Sequence, residues 1–183
     1  MRPCRNSGFT LNSKSTLNIR SSALIWLWLS GVIIALDQWS KFWALTALQP
    51  EGVPHPVIPG LLNWVLTFNN GAAFSFLNSA NGWQRWFFVV LALAISIALV
   101  VWLRRTPRRD WRTALPVALI IGGALGNLID RLHAARVTDF LQVYWHDWHF
   151  AVFNFADSAI SVGAVILLAF GLFAGKPRDG GVR

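Results

Sequence analysis

The stretch TALPVALIIGGALGNLI, residues Thr113–Ile129, runs for 17 residues without a charged side chain and is followed directly by Asp130. Three other windows are similarly apolar and uncharged: Ser21–Leu36, Trp86–Leu103 and Ser158–Gly175. A membrane-crossing helix needs roughly 20 mostly apolar residues, whereas the helices of a soluble bundle usually keep a polar face. The pattern therefore predicts an all-α membrane protein with four transmembrane helices.

The overall composition supports a membrane location. Hydrophobic residues make up 55% of the 183 residues, and charged residues make up only 13%. A soluble domain carries about 25% charged residues. The formal net charge is +8. Basic residues that flank membrane spans are enriched on the cytoplasmic side, where they contact anionic lipid. The positive net charge therefore does not indicate a nucleic-acid partner.

The uneven distribution of basic residues predicts the orientation. Residues 42–84 contain no Lys or Arg, whereas RRTPRRDWR, between the second and third spans, contains five arginines. The remaining basic clusters precede the first span and follow the fourth: Arg2, Arg5, Lys14, Arg20, Lys176, Arg178 and Arg183. Because positive loops stay inside, both termini and the second loop are expected in the cytoplasm, and the first and third loops outside.

The same features divide the chain into three parts. Residues 1–20 are polar and rich in Ser and Asn, which predicts a disordered cytoplasmic tail. Residues 21–175 form the predicted four-span domain, and residues 176–183 form a short cytoplasmic tail. The first apolar run continues into DQWSKFW without a small-residue cleavage site, so we interpret it as an uncleaved span.

The first outward loop contains strand-like sequence. LLNWVLTF, residues 61–68, predicts a β-strand, and NNGAAFSF, residues 69–76, predicts a turn that leads into a second strand. We therefore expect a small outward-facing β-sheet cradle between spans one and two. The third loop, residues 132–153, is rich in aromatic side chains and is expected to lie at the membrane interface.

Acidic residues are rare in this chain, yet several lie at or near the ends of the spans. Asp37 and Lys41 are spaced i,i+4 in the favourable order, which predicts an ion pair on one helix face. If spans three and four form a hairpin, Asp130, Asp139 and Asp157 meet at the same depth. Two carboxyl groups in a low-dielectric site share a proton, as in an aspartic peptidase.

Such chemistry needs no metal, cofactor or nucleophilic side chain. The pair His146 and His149 in HDWH has no third metal ligand at a suitable spacing. A proton-coupled transporter or pore subunit is an alternative, but its acids would lie near the bilayer midplane rather than at span ends. A purely structural membrane anchor is a third interpretation, which the clustering of polar residues on one side disfavours.

Five ordered blocks resemble the signature blocks of signal peptidase II, the lipoprotein signal peptidase family. The blocks are LDQWSK, NNGAAFSFL, GGALGNLIDRL, VTDFL and FNFADSAI, which extend from Leu36 to Ile160. The resemblance implies a bacterial inner-membrane aspartic peptidase, with its active site near the outer face, that acts on diacylglyceryl prolipoproteins. It would remove the signal peptide by cutting just before the lipidated cysteine. We also expect a monomer that contacts membrane lipid.

The resemblance also implies roles for individual residues. Asp139 and Asp157 match the catalytic pair, although spacing alone leaves Asp130 as an alternative to Asp139. The remaining matched positions are expected to bind substrate or support the acids: Asp37, Lys41, Asn70, Gly71, Ala73, Asn127, Asp130, Arg131 and Asn154.

Overall fold

The structure is a computed structural model that describes residues 22–71 and 83–173. Its elements, in chain order, are a 3-10 turn Ala23–Trp26, α1 Leu27–Ala47, β1 His55–Ile58, β2 Leu62–Asn69, α2 Trp83–Arg105, α3 Trp111–Ala134, β3 Val137–Trp145, β4 Trp148–His149 and α4 Phe155–Phe173. The two predicted tails and the predicted strand that follows Gly71 lie outside the described residues.

Three helices are long and apolar enough to cross a membrane. They are Ala23–Ala47 with 25 residues, Trp83–Arg105 with 23 and Trp111–Ala134 with 24. The fourth helix, α4, has 19 residues, and its apolar part, Phe155–Gly171, is shorter than the other three. The described part of the chain thus contains three clear candidate spans and one shorter apolar helix.

Helix α3 lies at the centre of the bundle and packs against α1, α2 and α4. Glycines on α3 allow the close approach of its neighbours. A Cβ atom on Gly122 would lie 2.7 Å from Ile33 Cβ, and one on Gly126 would lie 2.6 Å from Asp37 Oδ2. Small residues let helix backbones pack closely in membrane proteins, so these two positions bring α1 against α3.

The two ends of the bundle differ. We call the end where α1 and α3 finish and α2 and α4 begin the site end, and the other the opposite end. The opposite end contains a buried apolar cluster, whose members are Ala23, Leu103, Ala114, Val117 and Ile121. Helix α3 begins there at an N-cap, Asp110, whose side chain accepts a hydrogen bond of 3.3 Å from the Thr113 amide.

A four-stranded antiparallel sheet in the order β1-β2-β3-β4 packs at the site end. Strand β2 matches the strand predicted from LLNWVLTF. The sequence placed the sheet between spans one and two, but β3 and β4 come from the segment between α3 and α4. The sheet contacts α1 through a second apolar cluster, made of Ala44, Leu48, Leu66 and Phe140.

Two short connections bring the end of α3, strand β3 and the start of α4 together. Helix α3 ends at Ala135, which has a left-handed φ of 61°, and β3 begins at Val137. Farther along, Phe153 pairs with Leu141 through hydrogen bonds of 2.8 and 2.9 Å. This pairing holds the residues that open α4 beside the middle of β3.

Candidate active site

Asp139 lies on β3, opposite Thr67 of β2, with only 2% of its surface exposed. Its Oδ1 accepts a hydrogen bond of 2.6 Å from Asn154 Nδ2, and the side chain of Asn69 also bonds to it. Burial raises the pKa of the Asp139 carboxyl to about 7, and the negative charge of Asp157 acts in the same direction. Asp139 therefore holds its proton far more readily than an exposed aspartate does.

Asp157 lies in the first turn of α4, where it forms a reciprocal cap with Asn154. The backbone N–H of Asp157 donates to Asn154 Oδ1 at 2.9 Å, and the backbone N–H of Asn154 donates to Asp157 Oδ2 at 3.2 Å. This is the geometry of a capping box, with Asn at the cap and an acid three residues later. The other oxygen, Asp157 Oδ1, accepts from Asn127 Nδ2 at 2.8 Å. Both carboxylate oxygens of Asp157 therefore face N–H donors.

Asp139 and Asp157 line the same cavity, which has a volume of about 890 Å³. The rest of its wall comes from β2 and the two residues after it, from α2, α3 and α4, and from the segment before α4: Thr67, Phe68, Asn69, Asn70, Gly71, Phe88, Arg131, Phe150, Ala151, Val152, Phe153, Ser158, Ser161 and Val162. The cavity thus has aromatic and aliphatic walls around two carboxyl groups, so it suits a largely apolar ligand with a polar reacting group.

The two asparagines predicted to support the acids connect them directly. Asn154 is fully buried, and its Nδ2 reaches both Asp139 Oδ1 and Asn127 Oδ1, the latter at 3.1 Å. Asn127 in turn donates to Asp157. The two amides therefore form a continuous hydrogen-bonded link between Asp139 and Asp157.

Lys41 lies at the base of this link. Its Nζ contacts Asp37 Oδ2 at 2.8 Å, Asp130 Oδ2 at 3.0 Å and Asn127 Oδ1 at 2.8 Å. The ion pair predicted from the i,i+4 spacing is present, and α3 adds a second carboxylate to it. An ammonium group has three donors and no acceptor, so these contacts use its full hydrogen-bonding capacity.

Asp130 occupies a different environment from Asp139. It is absent from the cavity wall, and its Oδ2 accepts a hydrogen bond of 3.1 Å from the Thr138 amide as well as the Lys41 contact. Of the two alternatives that the sequence left open for the first acid, only Asp139 shares the cavity with Asp157.

The other predicted substrate contacts lie around the cavity. Asn70 and Gly71 line it, and Ala73 lies outside the described residues. Arg131 also lines it, donates from Nη1 to the Asn127 carbonyl at 3.2 Å and lies 5.1 Å from the centre of the Phe88 ring. Its positive charge is close enough to interact with the acids of the site.

Two residues near the acids were not predicted from the sequence. Gln38 bonds to Asp37 and Asp130, and Asn69 bonds to Asp139. Gln38 lies in the block LDQWSK and Asn69 in the block NNGAAFSFL. Their position beside predicted site residues in these blocks was the sequence feature that could have indicated them. His149 stacks on Tyr144, and in residues 22–71 and 83–173 no group of three His, Cys, Asp or Glu side chains is arranged to hold a metal ion.

Comparison with known proteins identifies close relatives. The sequence profile of the family described as Signal peptidase (SPase) II matches residues 29–173. A lipoprotein signal peptidase from Xanthomonas campestris pv. campestris (strain 8004) is 59% identical over 155 residues, covering 85% of this chain and 92% of that protein. A lipoprotein signal peptidase from Xylella fastidiosa (strain M12) is 56% identical over 155 residues, with the same two coverages of 85% and 92%.

The fold also matches a solved structure. That structure is described as a bacterial membrane enzyme determined by the in meso method at 2.3 Å resolution. It superposes with a TM-score of 0.75 at 28% identity, covering 89% of this chain and 98% of the other. The structural similarity therefore extends over most of this chain and nearly all of the other.

Proposed function

The chain belongs to the signal peptidase II family, and we propose that Asp139 and Asp157 are the aspartic dyad with which it cuts its substrates. The protein is a multi-pass protease of the bacterial inner membrane that removes signal peptides from prolipoproteins. The resemblance found in the five sequence blocks is thereby confirmed for the family and for the reaction.

The observation that supports the dyad is the shared cavity, with Asn154 bonded to both acids. An aspartic dyad needs one carboxyl group that carries a proton and one that does not. Asp139, with its raised pKa of about 7, is the member suited to hold the proton. Asp157, whose two oxygens both accept from N–H groups, is suited to act as the carboxylate.

In the proposed reaction, Asp157 takes a proton from a water molecule while the water oxygen adds to the carbonyl carbon of the scissile bond. Asp139 donates its proton to the carbonyl oxygen, which gives a neutral tetrahedral diol. When the C–N bond breaks, Asp157 returns a proton to the leaving nitrogen and Asp139 regains one from a diol hydroxyl. The products are a signal peptide with a free carboxyl group and a mature chain with a free amino group, and the dyad returns to its starting state.

The walls of the cavity support a substrate that carries lipid. Phe88 on α2 and Val162 on α4 face the cavity from two helices, and Val162 is 52% exposed. A peptide that remains in the bilayer could therefore approach the dyad from the side, between α2 and α4. We propose that the cut lies just before the diacylglyceryl cysteine, with acyl chains against the apolar wall.

The proposal also includes the topology. Helix α4 would be the fourth span, the site end would face outward, and residues 1–20 and 176–183 would be cytoplasmic tails of a monomer. The exposed Arg104, Arg105, Arg108 and Arg109 at the opposite end support this orientation. Alkaline phosphatase fused after Asp147 should be active and a fusion after Arg108 inactive; the reverse result would overturn the orientation.

The dyad is tested by prolipoprotein processing in membranes that contain equal amounts of each variant. Asp139→Asn and Asp157→Asn are nearly isosteric and should each abolish cleavage, and the double variant should be hardly worse, because residues that act as a unit are not additive. Asp147→Asn, an exposed acid on the turn between β3 and β4, is the matched control and should process normally. Processing by Asp139→Asn, together with loss of activity in folded Asp130→Asn, would assign the first acid to Asp130 instead.

A further inference from the structure

Gln38 connects α1 to α3 at the site end. Its Nε2 lies 2.9 Å from Asp130 Oδ1, 3.1 Å from Asp37 Oδ2 and 3.2 Å from the Gly126 carbonyl. The three acceptors belong to α1 and α3 at the site end, and none of these residues lines the cavity. Gln38 is therefore placed to affect the site without touching the substrate.

The contact with Asp130 leads to the dyad. Asp130 uses Oδ1 to accept from Gln38 and Oδ2 to accept from Lys41 Nζ and the Thr138 amide. Thr138 directly precedes Asp139 on β3. Because the carboxylate is planar and rigid, holding one of its oxygens also sets the direction of the other. Gln38 thus helps to fix the backbone one residue before Asp139.

We propose that Gln38 is a positioning residue that acts through Asp130 and the Thr138 amide to hold Asp139 in its reactive place. The inference rests on the proposed catalytic role of Asp139 and Asp157. Lys41 contacts the same Asp130 carboxylate, but its removal would leave buried acids without a cation. Gln38 is neutral, so replacing it loosens Asp130 without creating an unpaired buried charge.

The expected defect is in turnover rather than in substrate binding. Gln38 lies outside the cavity wall, so KM should stay within about twofold of wild type, while a shift of the catalytic group of up to ~1 Å can cost up to about 100-fold. For the loss of one hydrogen-bonding side chain we expect kcat to fall about 2- to 13-fold, which corresponds to the ~0.5–1.5 kcal/mol of a typical hydrogen bond. A role in packing alone would lower the amount of folded protein and leave kcat per folded molecule unchanged.

The experiment measures cleavage of a synthetic diacylglyceryl prolipopeptide by the purified full-length protein in detergent micelles. Gln38→Met keeps the size of the side chain but removes its donor. Gln49→Met is the matched control, because Gln49 is exposed, lies just after the end of α1 and donates from Nε2 to the Leu45 carbonyl of α1 at 3.3 Å, away from the acids. The control should keep wild-type kcat and KM. Wild-type kcat in folded Gln38→Met, or a loss confined to KM, would overturn the proposal.

A double-mutant cycle tests the route through Asp130. If Gln38 acts through Asp130, the variant carrying both Gln38→Met and Asp130→Asn should have a kcat close to that of Asp130→Asn alone. Multiplying defects would overturn that route. Asp139→Asn in the same assay separates the two claims, because full activity there contradicts the dyad itself, whereas an inactive Asp139→Asn beside a normal Gln38→Met contradicts only the positioning role.

Discussion

The site end of the bundle is held together by buried charges, and the opposite end by apolar side chains. At the site end, Asp37, Lys41 and Asp130 are almost completely buried, and Lys41 forms an ion pair with each of the two acids. At the opposite end, Leu103, Val117 and Ile121 pack in a cluster without a charge. Burying an ion pair costs desolvation energy that apolar residues of the same volume do not incur. The site end therefore gains a defined arrangement of donors and acceptors rather than added stability.

The largest expected effect comes from removing one residue at each end. Lys41→Met leaves two acids buried without their cation and should destabilise the fold by about 3–5 kcal/mol. Leu103→Ala opens a cavity in the apolar cluster and should cost a similar amount, about 2–5 kcal/mol. The two variants should differ in catalysis, because only Lys41 bonds to Asn127, which in turn bonds to Asp157.

Thermal denaturation in micelles and turnover per folded molecule, measured below the transition, separate these effects. Folded Lys41→Met should be strongly impaired, and folded Leu103→Ala should turn over close to the wild-type rate. Equal turnover in the two variants would remove the functional distinction between the ends.

The pH dependence of stability measures the cost of burying Asp139. Its pKa is about 7 in the folded protein, compared with 3.8 for the ordinary carboxyl, so the folded state binds more protons between these values. Stability from this group is fully present below about pH 4 and is lost as the pH rises through about 7. Asp139→Asn should remove that loss and gain stability relative to wild type, on the order of 2 kcal/mol more at pH 8 than at pH 5.

Denaturation midpoints at both pH values test this expectation. The control is Leu103→Ala, whose destabilisation should not change with pH because no titratable group is altered. A stability gain for Asp139→Asn that is the same at both pH values would mean that the carboxyl is not protonated in the folded site.

The smallest expected effect compares hydrogen bonds in the two halves of the bundle. Asn127→Ala and Asn154→Ala each remove donors to the dyad, and should slow cleavage by an amount equivalent to about 1–3 kcal/mol. Ser30→Ala removes a buried bond of 2.8 Å from Ser30 Oγ to the Ala118 carbonyl, away from the acids. It should lower stability slightly, by about 1 kcal/mol, and leave turnover unchanged.

Cleavage rates at matched levels of folded protein distinguish these variants. Normal cleavage rates in both asparagine variants would mean that the two side-chain amides contribute to packing and not to cleavage. A slow Ser30→Ala variant would instead show that any buried bond between α1 and α3 affects the site.

Local patterns in the sequence predicted much of the architecture. Apolar run length located α1, α2 and α3, since hydropathy is a property of consecutive residues. The i,i+4 spacing predicted the contact between Asp37 and Lys41, because residues four apart lie on one helix face. LLNWVLTF predicted β2 for a similar reason, since its strand character is local. The five ordered blocks indicated the family, and the predicted reaction followed from that resemblance.

Only the tertiary structure decided how these parts combine. Strands β2 and β3 pair although α2 and α3 lie between them in the sequence. Phe153 pairs with Leu141, so Asn154 bonds to Asp139, 15 residues earlier in the chain. Sequence spacing did not distinguish Asp130 from Asp139 as the first acid. In the folded protein, Asp130 contacts Lys41, whereas Asp139 lines the cavity. Such pairings depend on distant segments that meet only after the bundle has packed, and no local pattern of charge or hydropathy records them.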